Sequence, residues 1–125
     1  MLQAVTPTAT SLIDAASAAN TAAATSGNGK WLDVRGYEGD IIVVQQIGAV
    51  TGSITGKLQS ASDANGTSAA DISGYAYTAV SSANNSQTVV VDPKKVPGGF
   101  LGYVGTIVTG PALTCVVAIG QKKYV

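Results

Sequence analysis

Residues 40–47 read DIIVVQQI, and this stretch decides the fold class. Residues 41–44 are all β-branched, which favours a strand over a helix because branching at Cβ restricts the side chain in a helix and packs well on a pleated sheet. A continuous apolar run of this length also predicts burial on both faces of the strand. Similar short segments follow along the chain, so the sequence predicts an all-β protein.

Seven or eight short strands are predicted, each bounded by turn residues. Residues 53–60 alternate between apolar and polar, so Ile54 and Leu58 should face a core while Lys57 faces water. Pro93 should end a strand, because proline cannot donate to a ladder, and the glycines of residues 100–109 are expected to mark bends or bulges. The other predicted strands are residues 31–34, 71–80, 87–92, 100–109 and 113–119, and turns are predicted at residues 36–40 and 48–52.

The connections between these strands decide the architecture. No helical segment alternates with the strands, which argues against a parallel α/β sheet and for a single antiparallel sandwich or barrel. The connections are longer than tight hairpins, as expected for links that cross between two sheets.

Residues 1–29 differ from the rest of the chain, because Ala, Ser and Thr dominate them and Asp14 is their only charge. Ser11 as N-cap, with Asp14 at the third helical position, predicts a short helix over residues 11–16. We expect an arm that becomes ordered on its own domain or on a neighbouring subunit, with a loose tail as the alternative. The predicted organisation is an N-terminal arm at residues 1–29 and a β-sandwich domain at residues 30–125.

Charge and composition exclude several classes of partner. Charged residues make up 11% of the 125 residues, and seven basic and seven acidic side chains give a net charge of zero. Nucleic-acid binding needs a basic footprint to neutralise phosphates, so no nucleic-acid partner is expected. The N-terminus lacks the basic start of a signal peptide, and no apolar run approaches the roughly 18 residues of a membrane span. We therefore expect no membrane partner and synthesis in a cytoplasm.

The residues that carry most enzyme chemistry are missing. The chain has no histidine, which removes the Ser-His-Asp and Cys-His arrangements and histidine metal ligands. Cys115, the only cysteine, lies in an apolar run and is expected to be a small buried side chain. Glu38 and Asp40 lie in a predicted turn, where solvation explains them better than a glycosidase acid and base. We predict no enzyme activity, no catalytic residue and no cofactor.

Two weaker patterns suggest binding. Residues 63–66, Asp-Ala-Asn-Gly, with Asp71 beyond them, resemble a calcium loop, but an Asx turn uses the same residue types, so no metal site is predicted. Aromatic residues could form a sugar-stacking platform, although in a β-sandwich they more often pack in the core or an interface. These aromatic residues are Trp31, Tyr37, Tyr75, Tyr77 and Tyr103. A carbohydrate-binding or adhesive sandwich therefore stays open as an alternative function.

The order of motifs from residue 30 onward resembles that of small virion proteins of tailed phages, namely head decoration, or cement, proteins. The residues that carry the resemblance are KWLDV at 30–34, GYEGD at 36–40 before the apolar strand, GKLQSASD at 56–63 with Asp71 and Ile72, FLGYV at 100–104, CVVAI at 115–119 and KKY at 122–124. The arm at residues 1–29 is not part of the resemblance.

The resemblance implies a jelly-roll-like β-sandwich on the outside of a phage capsid. Such proteins clamp neighbouring subunits of the major capsid protein, and a clamp that holds two subunits at once gains effective concentration. They form dimers or trimers, so a homo-oligomer is expected, located in the virion on the capsid exterior after synthesis in the host cytoplasm. A tail or baseplate module is a second virion hypothesis. A lectin would instead present an exposed aromatic shelf, and an enzyme would present polar groups converging in a cleft.

Overall fold

The computed structural model describes residues 8–13, 31–108 and 112–122. Within these ranges the chain forms eight strands and one short 3-10 helix, which confirms the predicted all-β class. The strands are β1 (Thr8–Ile13), β2 (Leu32–Asp33), β3 (Tyr37–Val50), β4 (Ser53–Ala61), β5 (Ala70–Ala76), β6 (Asn85–Val91), β7 (Phe100–Val108) and β8 (Ala112–Lys122), and the 3-10 helix is Pro93–Lys95.

The strands form two antiparallel sheets that pack against each other as a sandwich. The first sheet has the strand order β1-β8-β3-β6, and the second has the order β2-β7-β4-β5. The hydrogen-bonded partners are nested along the chain, because β4 pairs with β5, β3 with β6, β2 with β7 and β1 with β8. Each sheet therefore combines strands from both halves of the chain.

The core lies between the sheets and is filled by the inward side chains of alternating positions. On β4, Ile54 and Leu58 are buried while Thr55 is exposed, which confirms the period-two pattern predicted for this strand. On β3, Ile41 and Val43 are fully buried in one cluster with Leu58, whereas Ile54 belongs to a second buried cluster. The largest of the remaining fully buried apolar side chains are Val34, Val91, Leu101, Tyr103, Ile107 and Val116.

The burial predicted for both faces of β3 is wrong for the single chain. Ile42 lies between two buried residues, yet 43% of it is exposed. Successive side chains of a strand point to opposite faces, so Ile42 points away from the core. The interior lies between the two sheets, and Ile42 on the outer side of β3 is left open to solvent.

The helix predicted from Ser11 is also wrong. Residues 11–13 belong to β1, which pairs antiparallel with β8 from Thr8 opposite Gly120 to Ile13 opposite Val116. Without β1, the backbone N–H and C=O groups along the edge of β8 would have no partners. Hydrogen bonds to these groups stabilise a strand more than the weak helix propensity of a short Ala/Ser/Thr segment stabilises a helix. This part of the predicted arm therefore lies on its own domain, whereas residues 1–7 and 14–29 lie outside the described residues.

The predicted turns around β3 are too long, because the strand begins at Tyr37 and continues to Val50. Gly39, with φ of 74°, lies where the register between β3 and β8 shifts, so the glycine permits a bulge within the strand. The glycines of β7 do not mark bulges, since the register between β4 and β7 is continuous. Gly102 instead allows close packing, because a Cβ there would approach the Trp31 ring to 2.5 Å.

Candidate interaction surface

The aromatic residues do not form an exposed platform. Tyr37, Tyr77 and Tyr103 are buried in the core, and Tyr75 is half-buried against it. Trp31 is also half-buried, with its ring against Gly66 and Gly102. Across the described ranges, every aromatic side chain is at least partly covered, so this part of the chain offers no aromatic shelf for a sugar.

A buried polar cluster joins the two sheets through the core. Gln45 on β3 is fully buried, and its Oε1 accepts a hydrogen bond from the Tyr103 hydroxyl on β7. The Tyr77 hydroxyl donates to the carbonyl of Val43 at 2.8 Å. Burial raises the pKa of both Tyr77 and Tyr103, which keeps both hydroxyls neutral. The cluster therefore links the first sheet to the second through hydrogen bonds in the core.

The residues of the suspected calcium loop have other partners. The Asp63 carboxylate accepts hydrogen bonds from the backbone N–H groups of Asn65 at 2.9 Å and Thr67 at 3.1 Å, which makes an Asx turn. The hydrogen bonds from Thr67 are the main cause that lowers the pKa of Asp63. Asp71 on β5 instead forms an ion pair with Lys57 at 3.0 Å. No three His, Cys, Asp or Glu side chains gather into a metal site within the described residues.

Glu38 and Asp40 flank Gly39 at the start of β3, and both are exposed. They line an open groove of about 600 Å³ that Arg35 and Lys94 also line. Asp92 lines the same groove, so acidic and basic side chains share it.

The outer face of the second sheet carries ion pairs and polar side chains, and β7 also exposes Val108 there. Lys57 and Gln59 on β4 both contact the Asp71 carboxylate on β5, and hydrogen bonds from Gln59 and Lys57 lower the pKa of Asp71. At the far edge, Arg35 forms an ion pair with Asp33 at 2.8 Å. Its guanidinium also lies 5.1 Å from the centre of the Phe100 ring. This side of the sandwich has the charged character of an ordinary solvated surface.

The outer face of the first sheet is different, and we call it the apolar face. Ile42, Val90 and Leu113 are 43%, 53% and 42% exposed there. The strand register places Ile42 beside both Val90 and Ile119, so these side chains form one continuous patch. The other outward side chains of β3, β6 and β8 on this face are Asp40, Val44, Gln46, Ser86, Thr88, Cys115, Val117 and Gln121.

Cys115 is a member of the apolar face and not of the core. It is half-buried and lies opposite Gln46 of β3. The prediction of a buried cysteine is therefore only partly correct, because Cys115 occupies an outward position between inward Thr114 and Val116. Residues 113–119 are almost all apolar, so the sequence pattern does not indicate which of them point outward.

Comparison with protein-family models, with curated proteins and with solved structures finds no match to this chain. In the part of the chain that the structure describes, no helix has the length and apolar character needed to span a membrane. Fold and surface together define an all-β sandwich whose ion pairs lie beside the second sheet, while the outer face of the first sheet exposes Ile42, Val90 and Leu113.

Proposed function

We propose that this protein is a virion structural protein, a head decoration (cement) protein that binds the outside of a phage capsid and stabilises contacts between major capsid protein subunits. The observation that carries the proposal is the apolar face, where Ile42, Val90 and Leu113 are each more than two fifths exposed. Soluble monomers rarely leave a continuous apolar patch in water, because such a patch drives association. A protein with this face belongs inside an assembly.

We further infer that the sandwich is wound as a jelly roll, the form that the family resemblance implies. The nested pairing supports this winding, because the chain follows the path of one long antiparallel hairpin rolled into two sheets. Jelly rolls are eight-stranded double sheets of this kind and occur widely in viral capsid proteins.

The carbohydrate-binding alternative loses its main support in the structure. It needs exposed aromatic rings, whereas Tyr37, Tyr77 and Tyr103 are core residues. A tail or baseplate module would also use an apolar contact surface. The test therefore uses capsids without tails, to which a tail or baseplate module should not bind.

The test mixes purified protein with capsids that lack it and measures co-sedimentation and the temperature at which the shells open. We expect saturable binding and a higher opening temperature, because each bound clamp must be released before neighbouring subunits separate. Fully decorated capsids, whose sites are already occupied, are the control and should bind no additional protein. Failure to co-sediment with the bare capsids would refute the cement function.

A further inference from the structure

The inward side chains of the four central strands are interrupted at one level of the core, which we call the central layer. On β3, β8, β4 and β7 the inward positions are apolar on either side of a single residue, and these four residues are Gln45, Thr114, Gly56 and Gly105. Gly56 lies directly opposite Gly105 in the second sheet, and the Gln45 side chain reaches Gly56 from the first. The two buried apolar clusters lie on either side of this layer.

Two polar atoms of the central layer lack a hydrogen-bond partner among the described residues. Gln45 and Thr114 are 0% and 1% exposed, and the atoms concerned are Gln45 Nε2 and Thr114 Oγ1. Buried donors and acceptors are almost always paired with protein or with water, because an unpaired group loses the hydrogen bonds that it makes in the unfolded chain. The central layer therefore calls for a small polar ligand that bonds to both atoms.

The glutamine beside Gln45 on the neighbouring strand is bonded elsewhere. Gln87 lies opposite Gln45 in the register of β3 and β6. Its Oε1 accepts a hydrogen bond from the backbone N–H of Thr78 at 2.8 Å, and its Nε2 donates to the Thr78 carbonyl at 3.0 Å. The Gln87 amide thus pairs with the backbone that follows β5.

The register of the first sheet brings Gln45 and Thr114 within reach of one small molecule. Gln45 pairs with Val116, and Thr114 is the next inward residue of β8, so Gln45 and Thr114 are diagonal neighbours. Diagonal neighbours lie about 7–8 Å apart, within reach of a long side chain. A water oxygen bonded to both groups spans about 5.5–6 Å between them, since each hydrogen bond is about 2.7–3.0 Å long. The Tyr103 hydroxyl, which donates to Gln45 Oε1, keeps a lone pair that can accept a third hydrogen bond.

We propose that the central layer binds one water molecule in the interior of the sandwich. This water accepts from Gln45 Nε2, bonds to Thr114 Oγ1 and donates to the Tyr103 hydroxyl oxygen, and about three partners are usual for a buried water. It extends the Gln45–Tyr103 hydrogen bond into a network that joins β3, β8 and β7. Such a network helps to fix the position of one sheet against the other. The site is independent of the proposed function, because it lies within the single chain.

Thr114→Val tests the site through the sign of its effect on stability. The substitution keeps the shape of the side chain and removes the hydroxyl. Losing a hydroxyl that bonds to the water should raise the equilibrium constant for unfolding, measured in urea, about tenfold. A hydroxyl without any partner would give the opposite sign, because a methyl group is better accommodated in a core than an unpaired polar group. A lower or unchanged constant would therefore overturn the inference.

Thr55→Val is the matched control, because Thr55 is an exposed threonine on β4. Its constant should change by less than about threefold, as is usual for surface substitutions. Oxygen-17 magnetic relaxation dispersion, which counts waters held inside a protein for longer than it tumbles, should give one water fewer in Thr114→Val than in the other two chains. Equal counts in all three would contradict the proposed site.

A crystal structure of the unmodified chain that shows ordered water locates the ligand directly and needs no variant. An oxygen about 2.7–3.2 Å from both Gln45 Nε2 and Thr114 Oγ1 is the expected result. Direct protein partners for both atoms would refute the water site. Neither outcome affects the cement function, which the capsid experiment tests separately.

Discussion

Gly56 on β4 is the residue whose replacement should disturb the core most directly. A Cβ at this position would collide with the Gln45 side chain and would lie 2.6 Å from a ring carbon of Tyr103. These neighbours form the hydrogen bond that joins the two sheets, and neither can move into open space because both are buried. We expect Gly56→Ala to lower the free energy of unfolding by about 2–3 kcal/mol, as overpacked cores do, measured by urea denaturation.

Gly48→Ala is the matched control for that substitution. A Cβ at Gly48 would lie 3.6 Å from Leu113 Cβ, which is ordinary van der Waals contact. Its free energy of unfolding should change by less than about 1 kcal/mol, because the change adds a methyl group without a clash and reduces the freedom of the unfolded chain. Equal losses in both variants would contradict the role assigned to the Gln45–Tyr103 contact.

The sequence predicts which residues are buried where apolar and polar residues alternate. It does not predict burial that depends on a contact with a residue far away in the chain. The spacing of Ile54 and Leu58 predicts that both are core residues, and both are buried. Gln45 could have been placed inside by continuing the alternation from Ile41 and Val43, but its polarity hid it. Its partner Tyr103 is 58 residues away, and no local pattern indicates that a glutamine will meet a tyrosine across the sandwich.

At the scale of elements, β1 shows how a strand can depend on its neighbour more than on its own sequence. The edge of β8 turned a segment with helix-capping signals into a strand through pairs such as Ala9 with Ile119. Deleting residues 1–13 should therefore lower the free energy of unfolding by about 2 kcal/mol, because several backbone hydrogen bonds of modest net value are lost. The exposed edge of β8 should also promote aggregation.

Deleting only residues 1–7 keeps β1 and is the control for this truncation. Thermal melting and light scattering of the two shortened chains separate the strand from the residues before it. If removal of residues 1–13 left both the melting temperature and the solubility unchanged, β1 would contribute nothing to the first sheet.

The apolar run in β3 gives the opposite lesson for an element. Its sequence predicted burial on both faces, and in the single chain Ile42 stays open to solvent. A contact within the proposed capsid assembly would cover Ile42 and bury both faces of this strand.

For the whole molecule, the period-two segments and the missing helices were sufficient to predict a sandwich, whereas the strand order was not predictable from spacing. That order depends on pairings between distant strands, such as β1 with β8, which enclose nearly the whole chain. The chain loses the entropy of closing long loops before these pairings can form. Refolding should therefore be slow for a small domain, with a time constant of about milliseconds to seconds.

The nested pairing also predicts that the sandwich unfolds as one unit. The first sheet joins β1 and β8 with β3 and β6, so neither half of the chain holds a complete sheet, and the Gln45–Tyr103 bond ties the two sheets together.

Trp31, the only tryptophan, packs beside β7 and against Gly66, so its fluorescence reports on the second sheet. Far-UV circular dichroism reports on both sheets. We expect the two signals to give the same midpoint and slope in urea. A tryptophan transition at lower urea than the dichroism transition would mean that the second sheet opens while the first persists.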